Sequence, residues 1–290
     1  MNKIGIYFAF WEKEWNADYA AYISKVSRLG FDTLEVEAGA LEKMPDSDKE
    51  RIAAVAREEG IDLTYCIGLP PSCDVSSMDE ETRKRGIKYV RKLLDTVHFM
   101  GGDMLGGIIY SCWPMKDSPS WEEKKARRAQ AVRSVKELSK TAEDYGIDYC
   151  LEIVNRFEQC ILNTAREGVG FLEEVESSRV KLLLDSFHMN IEEDGFRDAI
   201  LTAGGKLGHF HIGECNRKVP GMGHMNWKEI VSALKDVNYQ GRIVMEPFMR
   251  PGGQVGKDIR IYRDLSGHAA DEDLDRMASQ ALSFMREILA

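Results

Sequence analysis

The chain has 290 residues, enough for a large core and for either one α/β barrel or two smaller domains. Its 39 Lys and Arg against 48 Asp and Glu leave a net charge of −9, which disfavours DNA or RNA as partners, since both select basic surfaces. No apolar run reaches the roughly 18 residues of a membrane span. The opening MNKIGIYFAFWEKEW becomes charged too soon for a signal peptide, and the cysteines at 66, 73, 112, 150, 160 and 215 form no CxxC pair. Reduced thiols and a cytoplasmic location are therefore expected.

In chain order, short β-like runs alternate with longer helical ones. The predicted strands are 3–9, 33–37, 62–68, 104–110, 148–154, 180–185, 207–213 and 242–248. Charged segments with apolar residues at helical spacing predict helices over 18–29, 47–59, 79–100, 120–145 and 271–289. The tetrapeptides LGFD, EGID and YGID each place a glycine between a helix and the next strand, where a left-handed residue can close the helix. Eight β/α units without a Pro- or Ser-rich linker predict one (β/α)8 barrel domain over 1–290. A doubly wound open sheet is the alternative, but it would leave edge strands that nothing in the sequence blunts.

In such a barrel the C-terminal strand ends carry the chemistry. The fifth strand ends at Glu152 and the sixth at Asp185; the seventh carries His209 and His211, and the eighth reads IVMEPF with Glu246. A single carboxylate at a strand end is most often solvated or ion-paired. Four successive strands with ionisable groups in register are harder to explain that way. Clustered carboxylates cannot all ionise without a cation, and three oxygen donors with one imidazole suit Mn²⁺, Mg²⁺ or Co²⁺ better than a structural Zn²⁺. Alternation cannot separate His209 from His211, which share a face. The residue nearer the strand's end, His211, is the expected ligand, and His209 a hydrogen-bonded core histidine.

At LEIVNRFE (151–158), LLDSFHMN (183–190), HFHIGECNR (209–217) and MEPF (245–248) the sequence resembles the D-tagatose 3-epimerase family, which includes the D-psicose (D-allulose) 3-epimerases, xylose-isomerase-like TIM barrels. The resemblance extends over the whole chain. It implies one divalent metal per subunit, Mn²⁺ or Co²⁺ with Mg²⁺ as the alternative, held by Glu152, Asp185, His211 and Glu246. It implies that Glu158, His188 and Arg217 hold the C1–C3 end of a ketose. Tyr7, Trp15, Cys66, Ile108, Trp113 and Phe248 would shape the rest of the pocket, with Ile67 and the glycine-rich 101–107 segment at its distal border. It also implies a homodimer or homotetramer acting on a small-molecule sugar, with neither nucleic acid nor membrane as partner.

Read alone, Arg217 is as readily a surface charge in a loop, and His188 a helix cap. Trp15 and Trp113 lie just beyond strand ends, where an aromatic face suits the apolar face of a sugar. The expected reaction is inversion at C3 of a ketohexose (D-fructose/D-psicose, D-tagatose/D-sorbose) through a metal-stabilised enediolate, with Glu152 and Glu246 exchanging the roles of base and acid. Its nearest rival is a hydroxypyruvate or aldose–ketose isomerase of the same barrel class. A DNA-repair endonuclease would need more than six histidines and a basic face, and a sugar-binding protein would not explain two carboxylates poised across a metal. The segment RPGGQVGK (250–257) lacks the spacing of a phosphate-binding loop.

Overall fold

The computed structural model describes residues 2–115 and 117–290, leaving Met1 and Lys116 outside. Eight parallel strands close into a barrel in sequence order: β1 (Ile4–Tyr7), β2 (Thr33–Glu37), β3 (Asp62–Cys66), β4 (Met104–Gly107), β5 (Asp148–Ile153), β6 (Val180–Asp185), β7 (Leu207–Ile212) and β8 (Ile243–Met245). Closure is made by β1 against β8, with Gly5 opposite Val244. The open-sheet alternative is thereby excluded. Strands buried on both faces read as near-continuous apolar runs, which is why these eight stand out in the sequence. Each predicted strand contains an observed one, though several end earlier; β8 stops at Met245, so Glu246 begins the segment beyond it.

The helices form the outer layer. Tyr19–Leu29, Asp46–Glu59, Glu80–Phe99, Trp121–Tyr145 and Asp271–Leu289 match the five predicted segments to within a residue or two. Gly30, Gly60 and Gly146 end three of them at φ 88°, 66° and 70°, the left-handed turn that the repeated glycine predicts. Ser120 and Glu123 form a reciprocal capping box that starts the longest helix.

Two irregularities set the top of the barrel. Leu182 pairs with Leu207 but Leu183 pairs with His209, so Gly208 is an extra residue in β7. The bulge brings Asp185 into register with His211. Only glycine fits there, because a Cβ on residue 208 would lie 2.5 Å from Lys181 Cβ and 2.8 Å from Cys150 Sγ. At Gly107, with φ 109°, a Cβ would run into the Ile67 carbonyl oxygen, so the end of β4 passes directly against the segment after β3.

Candidate active site

The strand ends deliver four donors to one point. Glu152 comes from the end of β5, Asp185 from the last residue of β6, His211 from β7 and Glu246 from just after β8. One ligand atom from each lies within 4.8 Å of all the others, and all four residues are buried. His211 Nδ1 faces Glu152 at 3.9 Å and Glu246 at 3.7 Å, yet it has no hydrogen-bond partner among the described residues. A buried ring nitrogen aimed at two carboxylates but bonded to neither fits a metal ligand, and a set of three carboxylates and one imidazole fits a hard divalent cation. Burial, then the neighbouring Glu246 charge, raises the Glu152 carboxyl well above its usual range. Burial opposes charge on His211 too, but Glu35 and Glu246 outweigh it and raise that imidazole well above its usual range.

Above these donors lies a cavity of about 850 Å³. Tyr7, Trp15, Cys66, Ile108, Trp113, Glu158, His188, Arg217 and Phe248 all line it, together with Glu152 and Glu246. Asp185 and His211 sit deeper, at 1% and 0% exposure. The aromatic wall is continuous: Trp15 packs 6.1 Å from Trp113 and 6.2 Å from Phe248, and Tyr7 packs 6.1 Å from Phe248. Trp15 Nε1–H donates to Asp258 at 2.9 Å, anchoring the mouth to the short helix Gly253–Asp258.

The polar side of the cavity is a second network. Trp113 Nε1–H donates to Glu158 Oε2 at 2.9 Å, and the Asn155 amide donates to Oε1 at 3.0 Å. Burial alone would raise the Glu158 carboxyl; His188, Arg217 and these two donors outweigh it and hold it low, so it is a fixed acceptor. His188 Nδ1 accepts from the Asn155 backbone N–H at 3.2 Å, which leaves Nε2 toward Glu152 at 3.7 Å and Asp185 at 3.8 Å. His188 lies inside the helix Ser186–Glu192; the cap of that helix is Asp185, which accepts from Phe187 N–H. Arg217 is buried and lies 3.3 Å from Glu246, 3.4 Å from Asp185 and 3.6 Å from Glu158. Its φ of 64° is unusual for a non-glycine residue, and such a conformation persists only where neighbours over-determine it. Here Arg217 N–H donates to Glu214 O at 2.8 Å, and the Glu214 carboxylate in turn takes donors from Gly221, Met225 and Trp227.

One expectation is corrected in part. Gly101 and Gly102 do not border the pocket: they line a small depression at the opposite end of the barrel, with Arg242 and Asp103, because β4 starts there, whereas Gly107 at its other end packs against Ile67 of the cavity wall. Of the two readings of Arg217, the surface charge is excluded: the side chain stands among the carboxylates themselves. Ile67 does line the cavity.

Three participants have no counterpart in the sequence analysis: Glu35 and Glu37 lie on β2, away from the last four strand ends, and Asn155 lies in LEIVNRFE with no charge to mark it. Glu35 on β2 is fully buried against both histidines. Glu37 lines the cavity beside Cys66, its carboxyl pushed up to about 7 by burial. Asn155 ties Glu158 to His188. Alternation in TLEVE, with Glu35 and Glu37 on one face of an otherwise apolar strand, was the available signal.

A closed parallel barrel whose chemistry-bearing residues gather at the C-terminal strand ends defines a TIM-barrel protein with a candidate metal centre. The family model described as xylose isomerase-like TIM barrel matches residues 23–285. The D-psicose 3-epimerases of Ruminiclostridium cellulolyticum and Agrobacterium fabrum are 47% and 45% identical, over 99% of this chain and 98% and 99% of theirs. The L-ribulose 3-epimerase of Methylomonas sp. is 33% identical over 96% of this chain and 94% of its own. Among solved structures, D-psicose 3-epimerase with D-tagatose from Clostridium cellulolyticum H10 superimposes at a TM-score of 0.96, covering 99% of both chains at 46% identity. The chain belongs to the xylose isomerase-like TIM barrel family and, within it, to the D-psicose 3-epimerase group.

Proposed function

We propose that this protein is a metal-dependent ketose 3-epimerase that interconverts free ketohexoses at C3, D-fructose and D-psicose among them. One observation carries the reading: Glu152 and Glu246 reach the same buried cluster from β5 and from beyond β8, and both also line the cavity. Full-length relatives named D-psicose 3-epimerase support the same reaction.

Glu152, Asp185, His211 and Glu246 would hold one divalent cation, Mn²⁺ or Co²⁺ by their donor chemistry. Such a cation supplies positive charge that lowers the cost of negative charge on a ketose losing its C3 proton. The residues do the rest. Glu158, His188 and Arg217 orient the oxygens at the C1–C3 end. The aromatic wall of Tyr7, Trp15, Trp113 and Phe248, with Cys66 and Ile108, takes the remainder of the sugar and excludes water. One of Glu152 and Glu246 removes the C3 proton, and the other delivers a proton to the opposite face; in the reverse direction the roles exchange.

The 290 residues act as a single domain in this reading, in a homodimer or homotetramer. Free cysteines at all six positions support a cytoplasmic setting, and no helix among the described residues is long and apolar enough to cross a membrane. The deciding experiment is incubation of the chelated protein with D-fructose, with and without added Mn²⁺. D-Psicose formed only with metal is the expected result; an aldose product would replace epimerisation by isomerisation.

A further inference from the structure

Glu35 is a carboxylate that the reaction above does not use. It sits in the middle of β2 at 0% exposure and reaches the histidines of β7. Its two oxygens have different company. Oε2 accepts from the Thr64 hydroxyl at 2.8 Å and meets His209 Nε2 at 2.8 Å. Among the described residues Oε1 meets only His211 Nε2, at 2.7 Å, and the approach is not aligned as a hydrogen bond. With Oε2 occupied by two donors, Oε1 is the acceptor left for His211. An ionised carboxylate only accepts, so the ring nitrogen facing it carries the hydrogen. With a cation bound the imidazole is neutral and has a single N–H; once that sits on Nε2, Nδ1 keeps its lone pair. Nδ1 is the nitrogen turned toward Glu152 and Glu246.

We propose that Glu35 is a positioning residue that fixes the tautomer and orientation of His211, so that Nδ1 presents its lone pair to the cation shared with Glu152, Asp185 and Glu246. The proposal rests on the reading that those four residues bind a divalent cation. Thr64 and His209 act a layer further out, because they hold Glu35 in place. His209 thus acquires a reason to be a histidine: its Nε2 occupies Oε2 and leaves Oε1 for the ligand. Glu35, Cys66 and His211 also lie close enough together to hold an ion of their own. That arrangement would need His211 Nε2 without its hydrogen, so the two possibilities make opposite predictions.

The test is a calorimetric titration of the metal-free full-length protein with Mn²⁺, comparing the wild type with Glu35→Gln and Thr64→Val. The wild type takes up one ion per chain. Glu35→Gln keeps that stoichiometry and its metal-free circular dichroism, but its Kd for Mn²⁺ rises by about 10–100-fold, the usual effect of removing the partner of a ligating histidine. Its KM for D-fructose at saturating Mn²⁺ stays unchanged, since Glu35 does not face the cavity. Thr64→Val, which keeps the carboxylate, weakens binding by only a few-fold. Should Glu35→Gln fail to fold, the Mg²⁺-loaded wild type labelled with ¹⁵N-histidine decides by NMR: His211 carries a slowly exchanging proton on Nε2. Unchanged Mn²⁺ affinity in Glu35→Gln, or a His211 Nε2 without a proton, overturns the proposal. So does uptake of two ions by the wild type with one lost in Glu35→Gln, which would make Glu35 a ligand. A wild type that binds no Mn²⁺ sinks the cation reading itself, and this inference with it.

Discussion

At the N-terminal end of the barrel, Arg242 forms a two-pronged contact with Asp103 at 2.8 and 2.9 Å and also touches Asp62 at 3.1 Å. Lys3 reaches Asp62 as well, at 2.8 Å. Two carboxylates thus meet two cationic side chains. At the C-terminal end, Asp185, Glu246 and Glu158 surround one guanidinium, that of Arg217, and Glu152 joins Asp185 and Glu246 in the same cluster. The first arrangement is complete in itself and only ties strands together. The second has a surplus of buried negative charge, which low dielectric makes costly unless a cation or protons enter. A deficit of this kind at one end of a barrel, and its absence at the other, separates a site from scaffold.

Removing metal should break the C-terminal end most completely. Exhaustive chelation is expected to abolish D-psicose formation, and Mn²⁺ to restore it. A melting curve should show the same linkage, since ligand at 100 times its Kd stabilises the folded state by about 2.7 kcal/mol. Glu246→Gln comes next: turnover falls by at least the ~10²–10⁴ typical of a lost general acid or base. Solvent deuterium incorporation at C3 should fall with it. A variant that binds Mn²⁺ normally and keeps near-full turnover would end the two-carboxylate mechanism. Glu158→Gln should be milder. It leaves the four proposed metal donors in place and raises KM for D-fructose by about 10-fold, the scale of one charge-assisted hydrogen bond.

The smallest effect is expected at the other end. Arg242→Met should lower stability by about 1 kcal/mol without changing KM, because a largely surface ion pair contributes little. Burial raises the Asp62 carboxyl, but Lys3 and Arg242 outweigh it and hold it below its usual value. The stability it contributes is therefore present above the unfolded value near 4 and is lost as pH falls through the lower folded value. Arg242→Met should flatten that acid limb in a pH series of melting temperatures. A change in KM instead would mean that the two ends are not independent.

Much of this contrast could be read in the chain. The strands announce themselves as apolar runs, and Gly30, Gly60 and Gly146 mark the helix ends because a left-handed residue there is a local requirement. Glu152, Asp185 and Glu246 could be found because a carboxylate closing an apolar run is conspicuous. Glu35 could not be assigned a partner, since His211 lies far along the chain on β7 and nothing local links them. Gly101 and Gly102 misled because glycines near a strand do not say at which end of the barrel they lie.

The sequence by itself determined the alternation of strand and helix, the barrel class, and which side chains carry charge at the strand ends. Those depend on periods of two and 3.6 residues, which are properties of short segments. Only the tertiary structure decided which of these residues meet. Closure of β1 on β8, the extra Gly208 that aligns His211 with Asp185, and the reach of Glu35 across to β7 are properties of the whole ring of strands. A single-residue change in register would turn each of those groups to the other face of its strand.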